Sequence, residues 1–193
     1  MKKILILFLL FPVLDSYAQK WEKNYDFVDN CICGLSKVKK EGKIGYVNKD
    51  GKEVIKLQFD EGLSFSEGYV AVRKGGNWLF LDSTGKAITD AVYEDASSFK
   101  DGMAVASKNG HYGFINTEGK EAIPFNFSLA RSFTDGLAPA ANAKGYWGYI
   151  DTKGEWAIKP IYDFADSFEG GVAHVMKGQK EITIDKQNKV VGQ

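Results

Sequence analysis

Cys31 and Cys33 are the only cysteines in the 193-residue chain, one residue apart. Alternate residues of an extended strand lie about 6.5–7 Å apart at Cα, so a bridge between them would be strained. A metal site would need further thiolates or histidines, and a lipid anchor would need small residues where Val28, Asp29 and Asn30 stand. Two small buried thiols are the expectation. His111 and His174 share no ligand spacing, and ordinary roles are expected, His111 in a loop and His174 on a strand or the surface. The sequence contains no Gly-x-Ser-x-Gly elbow and no phosphate loop. Acids recur as Glu67, Asp101 and Asp135 before a glycine, with Glu169 two residues before Gly171. One acid per repeat is too sparse for the oxygen cage of calcium, so turn residues are expected. Paired carboxylates for glycoside cleavage remain possible, although no acid stands out from its repeat position. No catalytic residue, cofactor or metal is expected.

The elements that hold these residues are repeated. Gly34, Gly68, Gly102, Gly136 and Gly171 are spaced by 34, 34, 34 and 35 residues. Gly51, Gly85, Gly119 and Gly154, continued by Asn188, follow the same period, as do Tyr25, Phe59, Tyr93, Phe127 and Tyr162. Every series slips by one residue in the same interval, so a single insertion lies between Gly136 and Trp147. Five units result: 25–58, 59–92, 93–126, 127–161 and 162–193. Cys31 takes the place of Phe65, Phe99, Phe133 and Phe168.

A helix-pair repeat of this period is excluded by about four glycines per unit and by apolar residues that alternate. In Trp147-Gly148-Tyr149-Ile150 the two large rings share one strand face, and Gly148 and Ile150 share the other. Both faces are apolar, so this strand is covered on both sides. The glycine lets a neighbouring element approach closely. Turns such as Asn116-Thr117-Glu118-Gly119 demand positive φ at the last residue, where Asn188 is the best substitute for glycine. Each unit is therefore a β-hairpin plus a shorter preceding strand. The expected fold is all-β, a tandem repeat array of five hairpin-based units of about 34 residues, with a small closed β-propeller as the alternative.

Trp78, Tyr112 and Trp147 are expected in the core and not as a ligand-stacking stripe. Trp156 breaks register, standing where other units carry Glu53, Ala87 and Glu121. Strand alternation places it with the solvent-facing set. It is either a contact for a partner or a cap over a neighbouring unit's edge.

Trp147-Gly148-Tyr149-Ile150-Asp151, Gly154, Ala157-Ile158, Pro160, Tyr162-Asp163, Phe168 and Gly171-Val172-Ala173 resemble the WG repeat family. Tyr112-Gly113 is a close variant; Trp78-Leu79 and Ile44-Gly45 depart. Glu181-Ile182 departs further and marks unit 162–193 as a capping copy. The resemblance covers nearly all of residues 25–193. It implies a β-rich interaction module of exported and surface-associated bacterial proteins, with no catalytic residue set.

Residues 1–18 have the order of an export signal: Lys2 and Lys3, an apolar run over 4–14, then Ser16-Tyr17-Ala18. The run is too short to span a bilayer comfortably, and no integral membrane segment is expected after cleavage. Of 25 basic and 25 acidic side chains, the signal removes Lys2, Lys3 and Asp15, leaving 23 and 24. No basic surplus points to nucleic acid. The expected product is a secreted or periplasmic, non-enzymatic domain of residues 19–193 that binds a protein or cell-surface polymer. A structural scaffold is the first alternative and a hydrolase the second. Mass spectrometry of the exported chain should find Gln19 at the N-terminus; a product that retains Met1 would contradict the signal.

Overall fold

The computed structural model describes residues 20–192. The expected signal and its cleavage after Ala18 lie outside the described residues. After a 3-10 turn over Lys20–Asn24, the chain forms five antiparallel sheets in sequence order. The first contains β1 (Phe27–Val28), β2 (Leu35–Lys40), β3 (Lys43–Asn48) and β4 (Glu53–Phe59). The second contains β5 (Glu61–Gly62), β6 (Tyr69–Lys74) and β7 (Asn77–Asp82). The third contains β8 (Asp95–Ala96), β9 (Met103–Lys108), β10 (His111–Asn116) and β11 (Glu121–Phe127). The fourth contains β12 (Leu129–Ala130), β13 (Ala138–Ala141), β14 (Trp147–Ile150) and β15 (Trp156–Tyr162). The fifth contains β16 (Phe164–Ala165), β17 (Val172–Lys177), β18 (Lys180–Asp185) and β19 (Val190–Gly192). The sheets follow the repeat, as expected. Each full unit has one strand more than the sequence suggested, because its first strand is only two residues long and carries no alternation to read.

The turns explain the periodic polar residues. Asn48, Asp82, Asn116, Asp151 and Asp185 each accept two backbone N–H bonds from residues two and four positions on. These Asx turns bring the chain to Gly51, Gly85, Gly119, Gly154 and Asn188, all at positive φ as the pattern required. A second recurring acid closes the other hairpin: Asp26, Asp60, Glu94 and Asp163 accept the turn amides of Glu41, Gly75, Gly110 and Gly178. In the fourth unit this hairpin is one residue longer, with Asn142 N–H bonded to the Tyr146 carbonyl and Gly145 at φ 84°. That is the single insertion seen in the sequence.

The strand glycine has a specific use. The last strand of a unit is bulged against its neighbour, with register shifts between Tyr46 and Val47, Phe114 and Ile115, and Tyr149 and Ile150. A Cβ on Gly45 would lie 2.7 Å from the Ile55 carbonyl oxygen, and one on Gly113 would lie 2.8 Å from that of Ile123. No side chain fits there. The second unit has Leu79 at this position and Thr89 where Ile55 and Ile123 stand. Its last strand is reduced to isolated bridges, Trp78 to Tyr93 and Leu81 to Ala87. Thr89 Oγ1 instead accepts the Phe80 N–H at 3.0 Å.

No sheet buries its own faces. Each inner face packs against the adjoining sheet, and among the described residues five sheets share four apolar cores. Tyr149 belongs to the core between the fourth and fifth sheets, while adjacent Ile150 belongs to that between the third and fourth. Four cores between five sheets describe an open array; a closed propeller ring would need a fifth. The pairing of rings at these cores is regular: Tyr46–Phe65 at 5.1 Å, Phe80–Phe99 at 5.4 Å, Phe114–Phe133 at 4.9 Å and Tyr149–Phe168 at 4.6 Å between centroids.

The ends of the array correct the reading of the cysteines. Cys31 and Cys33 are exposed, not buried. In the later units this ring position packs against the preceding sheet, and among the described residues no sheet precedes the first. At the other end Thr183 takes the place of the strand ring, on a face that no further described sheet covers. Trp21 covers the first unit's turn, lying against Gly51 and donating its indole N–H to the Lys49 carbonyl at 3.3 Å.

Gly113→Val should lower the unfolding free energy by about 1–3 kcal/mol, the usual cost of forcing extra atoms into a packed site. Urea denaturation measures this. An unchanged midpoint would show that the bulge does not need the glycine.

Candidate functional site

Trp156 sits at the start of β15, paired with Ile150 across the sheet. It is half-buried, against the expectation of a solvent-facing ring, and packs against the core between the third and fourth sheets. Its ring meets Phe127 edge-on at 5.7 Å and 85°. It leans over the edge of the neighbouring third sheet, while its exposed part leaves the partner-contact role open.

Two of the recurring acids, Glu67 and Asp135, hold units together. Glu67 accepts the backbone N–H groups of Asp101 and Gly102 in the next unit, at 2.9 and 3.0 Å. Asp135 accepts that of Gly171 at 2.9 Å, and its carbonyl accepts Lys186 Nζ at 2.6 Å. Cys33, Glu67, Asp101, Asp135 and Gly170 occupy this position in turn, and all have positive φ. They are turn residues, as expected, and Glu67 and Asp135 add an inter-unit bond that sequence could not reveal. His111 opens β10 as an exposed residue and does not lie in a loop.

Trp78 and Trp147 are buried as expected, while Tyr112 is half-buried with its hydroxyl 3.3 Å from Asp95 Oδ2. One unusual group surrounds Trp147. Arg131, at the position of Asp29, Leu63, Ser97 and Asp166 in the other units, reaches across to the fifth unit. Its guanidinium carbon lies 5.4 Å from the Trp147 ring centroid and 4.9 Å from that of Phe164. Its Nη1 donates to Asp166 Oδ1 at 3.3 Å. Two aromatic faces and a carboxylate thus fix the plane of a partly exposed cation. Beneath it, the Tyr149 hydroxyl donates to the Asp166 carbonyl at 2.7 Å. Burial, reinforced by the Asp166 and Tyr162 charges, pushes that hydroxyl well above the usual tyrosine range, so it stays a donor.

Above Arg131 lies an open depression of about 510 Å³, lined also by Asp166, Ser167, Glu169, Val172 and His174. His174 projects from the outward face of the last sheet, with Nδ1 3.2 Å from Thr183 Oγ1 and 3.9 Å from Glu181 Oε1. Sequence reasoning passed over Arg131; the available signal was that an arginine stands at a position held by Asp, Leu or Ser in the other four units. Among the described residues no set of three or more His, Cys, Asp or Glu side chains is placed to hold a metal ion. No described helix is long and apolar enough to cross a membrane.

A family model described as WG containing repeat matches residues 44–78, 80–111, 112–144 and 147–180. No curated protein sequence matches the chain. Among solved structures, Kluyveromyces lactis Hsv2 with its complete loop 6CD is 12% identical with a TM-score of 0.53, over 82% of this chain and 58% of that one. Hsv2 of Kluyveromyces marxianus is 11% identical with a TM-score of 0.52, over 79% and 60%. A eukaryotic initiation factor is 8% identical with a TM-score of 0.54, over 84% and 52%. At these identities the likeness concerns the fold alone, and the chain spans roughly half to six tenths of their lengths.

Trp156→Glu should cost about 1–2 kcal/mol, more than an exposed residue and within the range of a lost edge-on ring pair plus partial burial. Trp156→Phe should recover most of it. Equal midpoints for Trp156→Glu and the parent chain in denaturant would return Trp156 to the surface.

Proposed function

The chain belongs to the family of WG containing repeat proteins, and from that membership we propose a non-enzymatic binding module that works outside the cytoplasm, on a protein or cell-surface polymer. The observation that carries this is the division of labour among its polar residues. Those that recur close turns and tie units together. Arg131 and His174, at positions that vary from unit to unit, meet at one open depression in the last two units. A scaffold that only spaces other components has no use for such a singular group. Localised departures on an otherwise regular frame are how repeat proteins carry a site. Export through residues 1–18 places the module in the periplasm or beyond. Trp156, half-exposed beside the fourth turn, is the second candidate contact.

Isolated cell-envelope fragments, incubated with residues 19–193, test the proposal. The folded chain should co-sediment saturably, and Asp166→Lys, which inverts charge inside the depression, should reduce the bound fraction about tenfold. Absence of saturable binding to both envelope fragments and their solubilised proteins would contradict a binding role.

A further inference from the structure

We propose that the groove at the fourth and fifth units is a subsite for neutral sugars of a polysaccharide. This rests on the binding-module reading above and names its ligand class.

Shape comes first. Three depressions, of about 510, 200 and 130 Å³, each have His174 in their wall. The first and third also share Asp166. They open around this one side chain as a groove at the outer end of the array. Its largest member alone is the size of ordinary small-ligand sites.

The chemistry of the walls selects the occupant. A sugar hydroxyl both donates and accepts, so its site must offer both kinds of group side by side. Arg131 supplies donors: among the described residues its guanidinium, with five N–H groups, is hydrogen-bonded only to Asp166. The two rings that flank it hold the fork in place before any ligand arrives, which reduces the ordering cost of binding. Asp166, Glu169 and Glu181 supply acceptors, and Ser167 and His174 can serve in either sense. The exposed Val172 and Met176 offer apolar patches for the C–H faces of a pyranose.

Charge decides against the closest competitors. Around the largest depression one arginine faces two carboxylates, Asp166 and Glu169, and Glu181 lies beyond His174. An acidic polymer or a phosphate would meet a net negative wall, so a neutral ligand is preferred. An extended peptide would require a free strand edge to pair with or deep apolar pockets for its side chains. The groove instead crosses a strand face lined by charged and hydroxyl-bearing groups.

The test is calorimetric titration of the folded chain with neutral hexasaccharides of glucan, mannan, galactan and chitin type. An oligogalacturonide and an acidic peptide serve as comparators. At least one neutral hexasaccharide should bind with Kd on the order of 10 µM to 1 mM, ahead of both comparators. Arg131→Ala and His174→Gln should each weaken it about tenfold, while Lys56→Ala in the first unit should leave it unchanged. Thermal unfolding checks that each variant is folded. His174→Gln, at an exposed position, keeps the test decisive if Arg131→Ala loses its packing. Preference for either comparator, no binding of any neutral oligomer, or indifference to both groove variants would overturn the proposal. Envelope capture that persists while neutral sugars fail to compete would sink this inference alone; loss of capture altogether would remove the binding-module reading with it.

Discussion

The structure depends on one ring from each unit reaching into the next. A sheet of some thirty residues with two apolar faces cannot bury both by itself. Phe65, Phe99, Phe133 and Phe168 solve this by packing against the central strand ring of the preceding unit. All eight rings of these pairs are buried, none more than 3% exposed. Tilted and edge-on geometry adds about 0.5–1.5 kcal/mol per pair to the area term. The strand glycine makes the arrangement possible from behind. By admitting the bulge of the last strand, Gly45, Gly113 and Gly148 let one strand serve two cores at once.

The same constraint shapes the ends. Where no described sheet precedes, the phenylalanine position has no ring to meet, and Cys31 stands there exposed. Where no described sheet follows, the strand ring gives way, and Thr183, Glu181 and His174 line the outer face. Polar replacement at the last sheet ends the stacking and at the same time creates the most varied surface of the molecule. The groove therefore arises where the repeat stops being obliged to repeat.

Period, phase, turn glycines, strand pairing and the single insertion were legible in the sequence because each recurs. The glycine's purpose was legible in outline, from its alternation with Trp147 and Tyr149. The two-residue edge strands were not, since Phe27–Val28 or Glu61–Gly62 is too short to show a pattern. The exposure of Cys31 was misjudged because alignment within the repeat says what a position usually holds, not whether its neighbour exists. Trp156 was placed by strand alternation, but a large ring beside a unit boundary can lean back over the adjoining core, as it does on Phe127. The Arg131 group was invisible because its members, Arg131, Trp147, Phe164 and Asp166, come from two units and meet only in the fold.

A double-mutant cycle on Phe114 and Phe133 addresses the central interaction most directly. The rings belong to successive sheets and lie 4.9 Å apart, in a core whose other aromatic pair, Phe127–Trp156, is left in place by both substitutions. With Phe114→Leu, Phe133→Leu and the double variant compared by urea denaturation, the coupling energy should be about 0.5–1.5 kcal/mol. Strict additivity, within about 0.3 kcal/mol, would mean that the units are held by undirected burial and not by the ring pair.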